Sequence, residues 1–303
     1  MKAVIKFLPQ LALSALFCSS AQAAVITFGG VTASDNSGLV SSLVPNIGNL
    51  VNSNVLDPNN PNFGLFIETF DSATAMTVFG GAGSTAFNTA AGNANGCALN
   101  STAGGISVTS SGSNAFAITK GSVSGVAAAP ANDNTCFGFT PAPGGALPAW
   151  VAIDYSNLLA GFSASFGGTW RIDYLGFYWG SVDNYNDFMF YDTSINGIQN
   201  FSPFAAQGAS NPFTSMLTGN NLLTQLGGSS GNQQSPQSNA YVNINFAPNE
   251  SFTSLAIRTT GVAGEFDNIV IRVSQVGSVP TPASLGLLGL GLVGIAGLRR
   301  RRN

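Results

Sequence analysis

The sequence predicts an all-β protein, an antiparallel β-sandwich of jelly-roll-like type, on a chain of 303 residues. Three observations point there. Turn formers, among them 37 glycines and 14 prolines, cut the chain into short pieces. The pieces between them are β-branched or aromatic, or alternate apolar with polar. The 22 phenylalanines supply filler for two inner sheet faces, each burying roughly 150–250 Å².

Strands are expected at 25–28, 66–70, 105–109, 115–119, 150–155, 170–178, 187–191, 241–246, 251–259 and 268–273. Turn clusters separate them at 29–38, 57–64, 80–105, 121–148, 207–212 and 227–240. In 242–246, Val242, Ile244 and Phe246 fall on one face and Asn243 and Asn245 on the other. A single helix is expected near 212–226. Residues 24–278 are long enough for one core, with 72–148, rich in Ala, Gly and Ser, reading as a decorated insertion.

Composition narrows the chemistry. There is no histidine, so a Ser-His-Asp triad, a Cys-His pair and a His-built zinc site are excluded. Only 8% of residues are charged. Lys2 and Lys6 sit at the start, and Arg299, Arg300, Arg301 and Arg302 at the end. The body between keeps four basic residues against thirteen acidic ones, a formal −9. Such a body has no electrostatic footprint for nucleic acid.

The two ends read as addresses. Lys2, Lys6, the mostly apolar stretch 7–17 and Ala21-Gln22-Ala23 make residues 1–23 a secretory signal peptide, cut between Ala23 and Ala24. Signal peptidase and the secretion machinery are therefore expected partners. At the other end Val279, Pro280, Thr281 and Pro282 lead into 283–298, which carries no charge, and then the four arginines. As a helix that stretch would be roughly 24 Å long, short of a hydrocarbon core of roughly 30 Å. Snorkelling arginines can cover the deficit and hold that end in the cytoplasm. Everything between the two apolar segments is then translocated. Gly286, Gly289, Gly291, Gly294 and Gly297 make the segment a poor permanent helix. The paired prolines offer a protease an extended strand just outside the membrane.

This tripartite tail, 279–303, resembles the PEP-CTERM sorting signal of Gram-negative bacteria, the substrate of exosortase. The usual motif is V-P-E-P; here Thr281 replaces the glutamate while both prolines and the following block stand. The resemblance implies exosortase processing at the cell envelope after transient membrane anchoring. It also implies release or attachment at the surface, often in bacteria making exopolysaccharide.

Within the body, Cys97 and Cys136 are the mature cysteines. In an exported chain they most simply form a disulfide; free thiols or an intermolecular bridge are the alternatives. The run 174–192 reads as an aromatic strand, a polar turn and a second aromatic strand. Asp183 and Asp187 crowd that turn with Asn184 and Asn186, oxygen donors that suit calcium but lack EF-hand spacing. In an extended 265–268, Glu265 and Asp267 share a face. They would hold structural calcium, serve as an acid–base pair, or stand solvated at a strand entrance beside Arg258 or Arg272. No other cofactor is implied. Trp179 and Tyr185 are candidates for stacking on sugar rings, with core packing the alternative for such aromatics.

These blocks resemble an exosortase-dependent surface-protein family. The features are a W-G-S-x-D-x-Y-N turn at 179–186, an F-x-F-Y-D strand at 188–192 and a late F-E/D-F-D-N-I block. The last is matched at 265–269, with Gly264 where an aromatic is more usual. Members are surface proteins without established chemistry, so the resemblance implies location. The expected function is a non-catalytic cell-surface or extracellular-matrix protein associated with exopolysaccharide, without catalytic residues. A carbohydrate-binding module and a secreted hydrolase using Asp183 or Glu265 are the alternatives.

Overall fold

The computed structural model describes residues 24–44, 46–48, 54–71, 97, 106–112, 114–248, 250 and 252–277. The expected signal peptide and sorting tail lie outside them. Among the described residues no helix is long and apolar enough to cross a membrane.

Two larger antiparallel sheets carry most of the described strands. The larger contains β1 (Val25–Phe28), β12 (Ala240–Asn245), β9 (Trp170–Gly180), β14 (Gly264–Gln275), β7 (Cys136–Thr140) and β6 (Ala117–Lys120) in that spatial order. Strand β4 (Leu65–Glu68) also pairs with β14. The smaller runs β11 (Ser215–Thr218), β10 (Asn186–Tyr191), β13 (Ser254–Thr259), β8 (Ala149–Asp154) and β5 (Ser107–Ser110). A short ribbon pairs β2 (Val31–Thr32) with β3 (Leu39–Val40). From β11 to β14 the chain changes sheet at every step. Alternate inward residues therefore meet in one layer: Phe188 of β10 stacks on Phe177 of β9 with ring centroids 4.1 Å apart. Its edge contacts reach Trp179 at 4.7 Å and Phe266 at 6.3 Å. The expected antiparallel β architecture is present.

Helix α1 (Ser156–Phe166) was not foreseen from the sequence. Leu158, Leu159, Phe162 and Phe166 fall on one helical face, and Leu158 and Phe162 are buried. Phe162 packs on Phe66 and Trp170. Gly167 stops the helix at φ 70° and returns its N–H to Ser163 O. Helix α2 (Gly219–Leu226) is the C-terminal part of the expected 212–226 helix, and β11 takes up part of the rest. Thr218 starts it by accepting the Asn221 N–H, and Gly227 ends it in the left-handed region.

Residues 106–148, inside the expected insertion, supply β5, β6 and β7 to the two sheets. That part is core architecture: Phe116, Phe137 and Phe139 are at most 1% exposed. The cysteines do form a disulfide, Cys97–Cys136, at the head of β7.

Strand β14 positions the polar features. It pairs with β9 along one edge; along the other it meets β7 at Gly264–Phe266 and β4 at Ile269–Arg272. At the changeover its register with β9 slips between Asp267 and Val270, and Asn268 takes φ 48°. This is a bulge, a local bend that re-aims side chains.

Candidate functional site

Phe266 points into the core between the sheets, so its neighbours Glu265 and Asp267 stand on the outer face of β14. They share a face, as expected, but neither is solvated: Glu265 is 2% exposed and Asp267 is fully buried. The segment 122–135 covers them, lying as a strap over the outer side of β9 and β14. Tyr178 donates its hydroxyl to Ala131 O at 2.7 Å. Asn239 Oδ1 accepts the N–H groups of both Ala131 and Ser181. Gly180 leaves room for the strap, since a Cβ there would lie 2.7 Å from Pro130. Neither expected cation stands beside the pair. Arg258 binds Asp187 at 2.9 Å and Arg272 binds Asp173 at 2.8 Å.

A pocket of about 450 Å³ opens beside the strap, lined by Ser181, Asp183, Tyr185, Gln233, Val262 and Glu265 among others. The W-G-S-x-D-x-Y-N turn builds one wall and β14 the floor. Glu265 Oε1 accepts Ala128 N–H and Oε2 accepts Ser181 Oγ–H, both at 2.9 Å. Burial pushes its carboxyl up to about 8, against the two hydrogen bonds and helped by Asp183. Burial also raises Asp183, whose Oδ1 accepts Ser230 Oγ–H at 2.8 Å. Tyr185 donates to Val262 O at 2.8 Å. Asn186, fully buried, ties the turn to β13 through Thr259 and to the residue before β14 through Ala263 O.

The raised acid gives a pH prediction. Glu265 binds a proton in the folded state up to about pH 8 and in the unfolded chain only to about 4.5. Native protein therefore holds the extra proton between these values, and this group's contribution falls as pH rises through that window. Glu265→Gln should match wild type near pH 4 and exceed its melting temperature increasingly towards pH 8. Parallel melting curves across that range would contradict the assignment.

The two carboxylate pairs expected as calcium ligands, Asp183 with Asp187 and Glu265 with Asp267, are each divided. Asp183 and Glu265 line the pocket, Asp187 is held by Arg258 across β10 and β13, and Asp267 lies under the strap. Among the described residues no three acidic, thiol or imidazole groups gather as metal ligands. Of the sugar-stacking candidates, Trp179 is 1% exposed and packs on Phe177 and Phe188, so it is core; Tyr185 lines the pocket wall.

The chain resembles a known family at one place: a family model described as the PEP-CTERM protein-sorting motif matches residues 278–302. No curated protein and no solved structure matches the chain. The matched motif marks the chain for export to the envelope or surface and names exosortase as the enzyme that processes it.

Proposed function

We propose that this is a non-catalytic surface or matrix protein whose tail holds it in the membrane until exosortase cuts it, and that it acts beside exopolysaccharide. The sorting motif at 278–302 carries the reading. Three features of the body support it. The cation-poor composition suits a translocated chain. A disulfide suits an oxidising compartment. Both Glu265 oxygens are already engaged, by Ala128 N–H and by the Ser181 hydroxyl, which supports a structural role for this buried acid.

The start of the described body fits signal cleavage as well. Ala24 N–H donates to Glu250 Oε1 at 2.9 Å, and Glu250 Oε2 accepts Ala247 N–H at 2.8 Å. Cleavage before Ala24 turns that amide into an ammonium already facing a carboxylate, a stronger charge-assisted bond. The new terminus would thus be held beside β12.

Deleting residues 279–303 tests the sorting step. The truncated protein should leave the membrane fraction entirely, with no membrane-held precursor. The full chain should pass through such a precursor. A full chain that never associates with membranes, or a truncated one that stays there, would overturn the reading.

A further inference from the structure

Beneath the strap lies a second polar centre, separate from the pocket and made of acceptors that lack donors. Both oxygens of Asp267, Asp133 Oδ2 and Asn268 Oδ1 are buried with no partner at hydrogen-bond geometry; the Asn268 N–H and the Asp133 carboxyl act on Asp267 only as looser neighbours. Asp267 and Asn268 are fully buried and Asp133 is 6% exposed. An orphaned buried acceptor costs the full desolvation of that atom, and four together are an unusual concentration. They belong to one place. Ser37 bridges to Asp133 as an isolated β-pair, and Asn268 Nδ2 donates to Ser37 O and Oγ and to Leu39 O. With all its donors spent there, Asn268 keeps only its oxygen to offer. Asp133 Oδ1 is likewise committed to Thr135, leaving Oδ2.

The charges around this centre are of one sign. The Asp133 and Asp267 carboxyls lie within interaction range of one another, and Asp71 and Asp35 add further negative charge. Lys120 offsets the charge of Asp71. The strap residue Asn132 and the bulge residue Asn268 both hold positive φ, so the backbone is bent on both sides of the centre.

We propose that Asp133, Asp267 and the side-chain oxygen of Asn268 bind a calcium ion that pins the strap and the 33–40 ribbon to the bulge of β14. Calcium takes carboxylate, amide and backbone carbonyl oxygens together with water, so two carboxylates and an amide suffice as a protein core for it. A divalent ion supplies the missing counter-charge and a partner for each orphaned oxygen. Extracellular calcium modules bind at roughly 10⁻⁴–10⁻³ M, so the site would fill on export rather than before it. The site differs from both places where calcium is expected from the sequence: it uses none of the 183–187 turn, keeps Asp267 of the Glu265–Asp267 pair, and recruits Asp133 and Asn268.

Terbium(III) is a direct probe, because Tyr178 feels both Asp133 and Asp267 and can sensitise its emission. Titrated into the full chain in mild detergent, terbium should give saturable emission under tyrosine excitation that calcium chloride displaces. About 1 mM calcium should raise the melting temperature over a chelator control by roughly 1–5 °C. Asp267→Asn and Asp133→Asn should each abolish both signals, while Glu265→Gln keeps them. In chelator, Asp267→Asn should melt no lower than wild type, since it removes an uncompensated acid. A wild-type protein with no calcium-dependent melting shift and no displaceable emission would overturn the proposal and leave the two acids sharing a proton. Full retention in Asp267→Asn would overturn it too.

Discussion

Phe188→Ala should lower the unfolding free energy by about 3–5 kcal/mol, the usual cost of emptying a buried aromatic site. Phe188 is 1% exposed at the seam between the sheets. Its ring is stacked on Phe177 and edge-on to Trp179 and Phe266, so its loss removes contacts to β9 and β14 at once. The neighbouring strands are tied by their ladders and cannot collapse into the space. Met216 on β11, 40% exposed, is the comparison: Met216→Ala should stay within about 0.5 kcal/mol. Urea denaturation of both variants decides the matter. A Phe188→Ala loss below about 1 kcal/mol would mean the sheets do not pack at this seam.

Opening the disulfide should cost a comparable amount. Cys97 and Cys136 are 39 residues apart, and closing such a loop stabilises by roughly 4 kcal/mol on the chain-entropy estimate. The bond also sits where several elements meet. Cys136 N–H donates to Asp71 Oδ1, and Asp71 forms an isolated bridge with Cys97. The double variant Cys97→Ser, Cys136→Ser should unfold at clearly lower denaturant. Reduction of the wild type should reproduce that shift. An unchanged midpoint under full reduction would show that the bond contributes nothing in solution.

What the sequence made legible follows from local pattern. β1 was read at its observed bounds, and β8, β9, β10 and β12 within two residues, because turn residues bound their apolar or alternating runs. Strand β7 was missed because it is buried on both faces. Its Phe137 and Phe139 pack with Ala117 and Ala263, so no polar alternation marks it, and it sits inside a turn-rich stretch. Helix α1 was missed because Gly161 and three serines disguise the Leu158–Phe162 face.

The site was legible in residues and not in partners. Asp183, Tyr185, Glu265 and Asp267 all take part in the polar centres of the outer face. The burial of Glu265 and Asp267 depends on a strap more than a hundred residues away in sequence, and no local pattern reports such a contact. Charged side chains are seldom buried, which favoured the solvated alternative for Glu265 and Asp267. Asp133, within the Asn132-Asp133-Asn134 turn, carried no signal distinguishing it from an ordinary turn former.

The central claim is that the tail is a handle that is gripped and cut. Mass spectrometry of the mature protein isolated from its natural host tests it most directly. The account predicts a polypeptide that begins at Ala24 and ends before the arginine cluster, with the 283–298 segment removed. A mature protein that still carries Arg299, Arg300, Arg301 and Arg302 would contradict it.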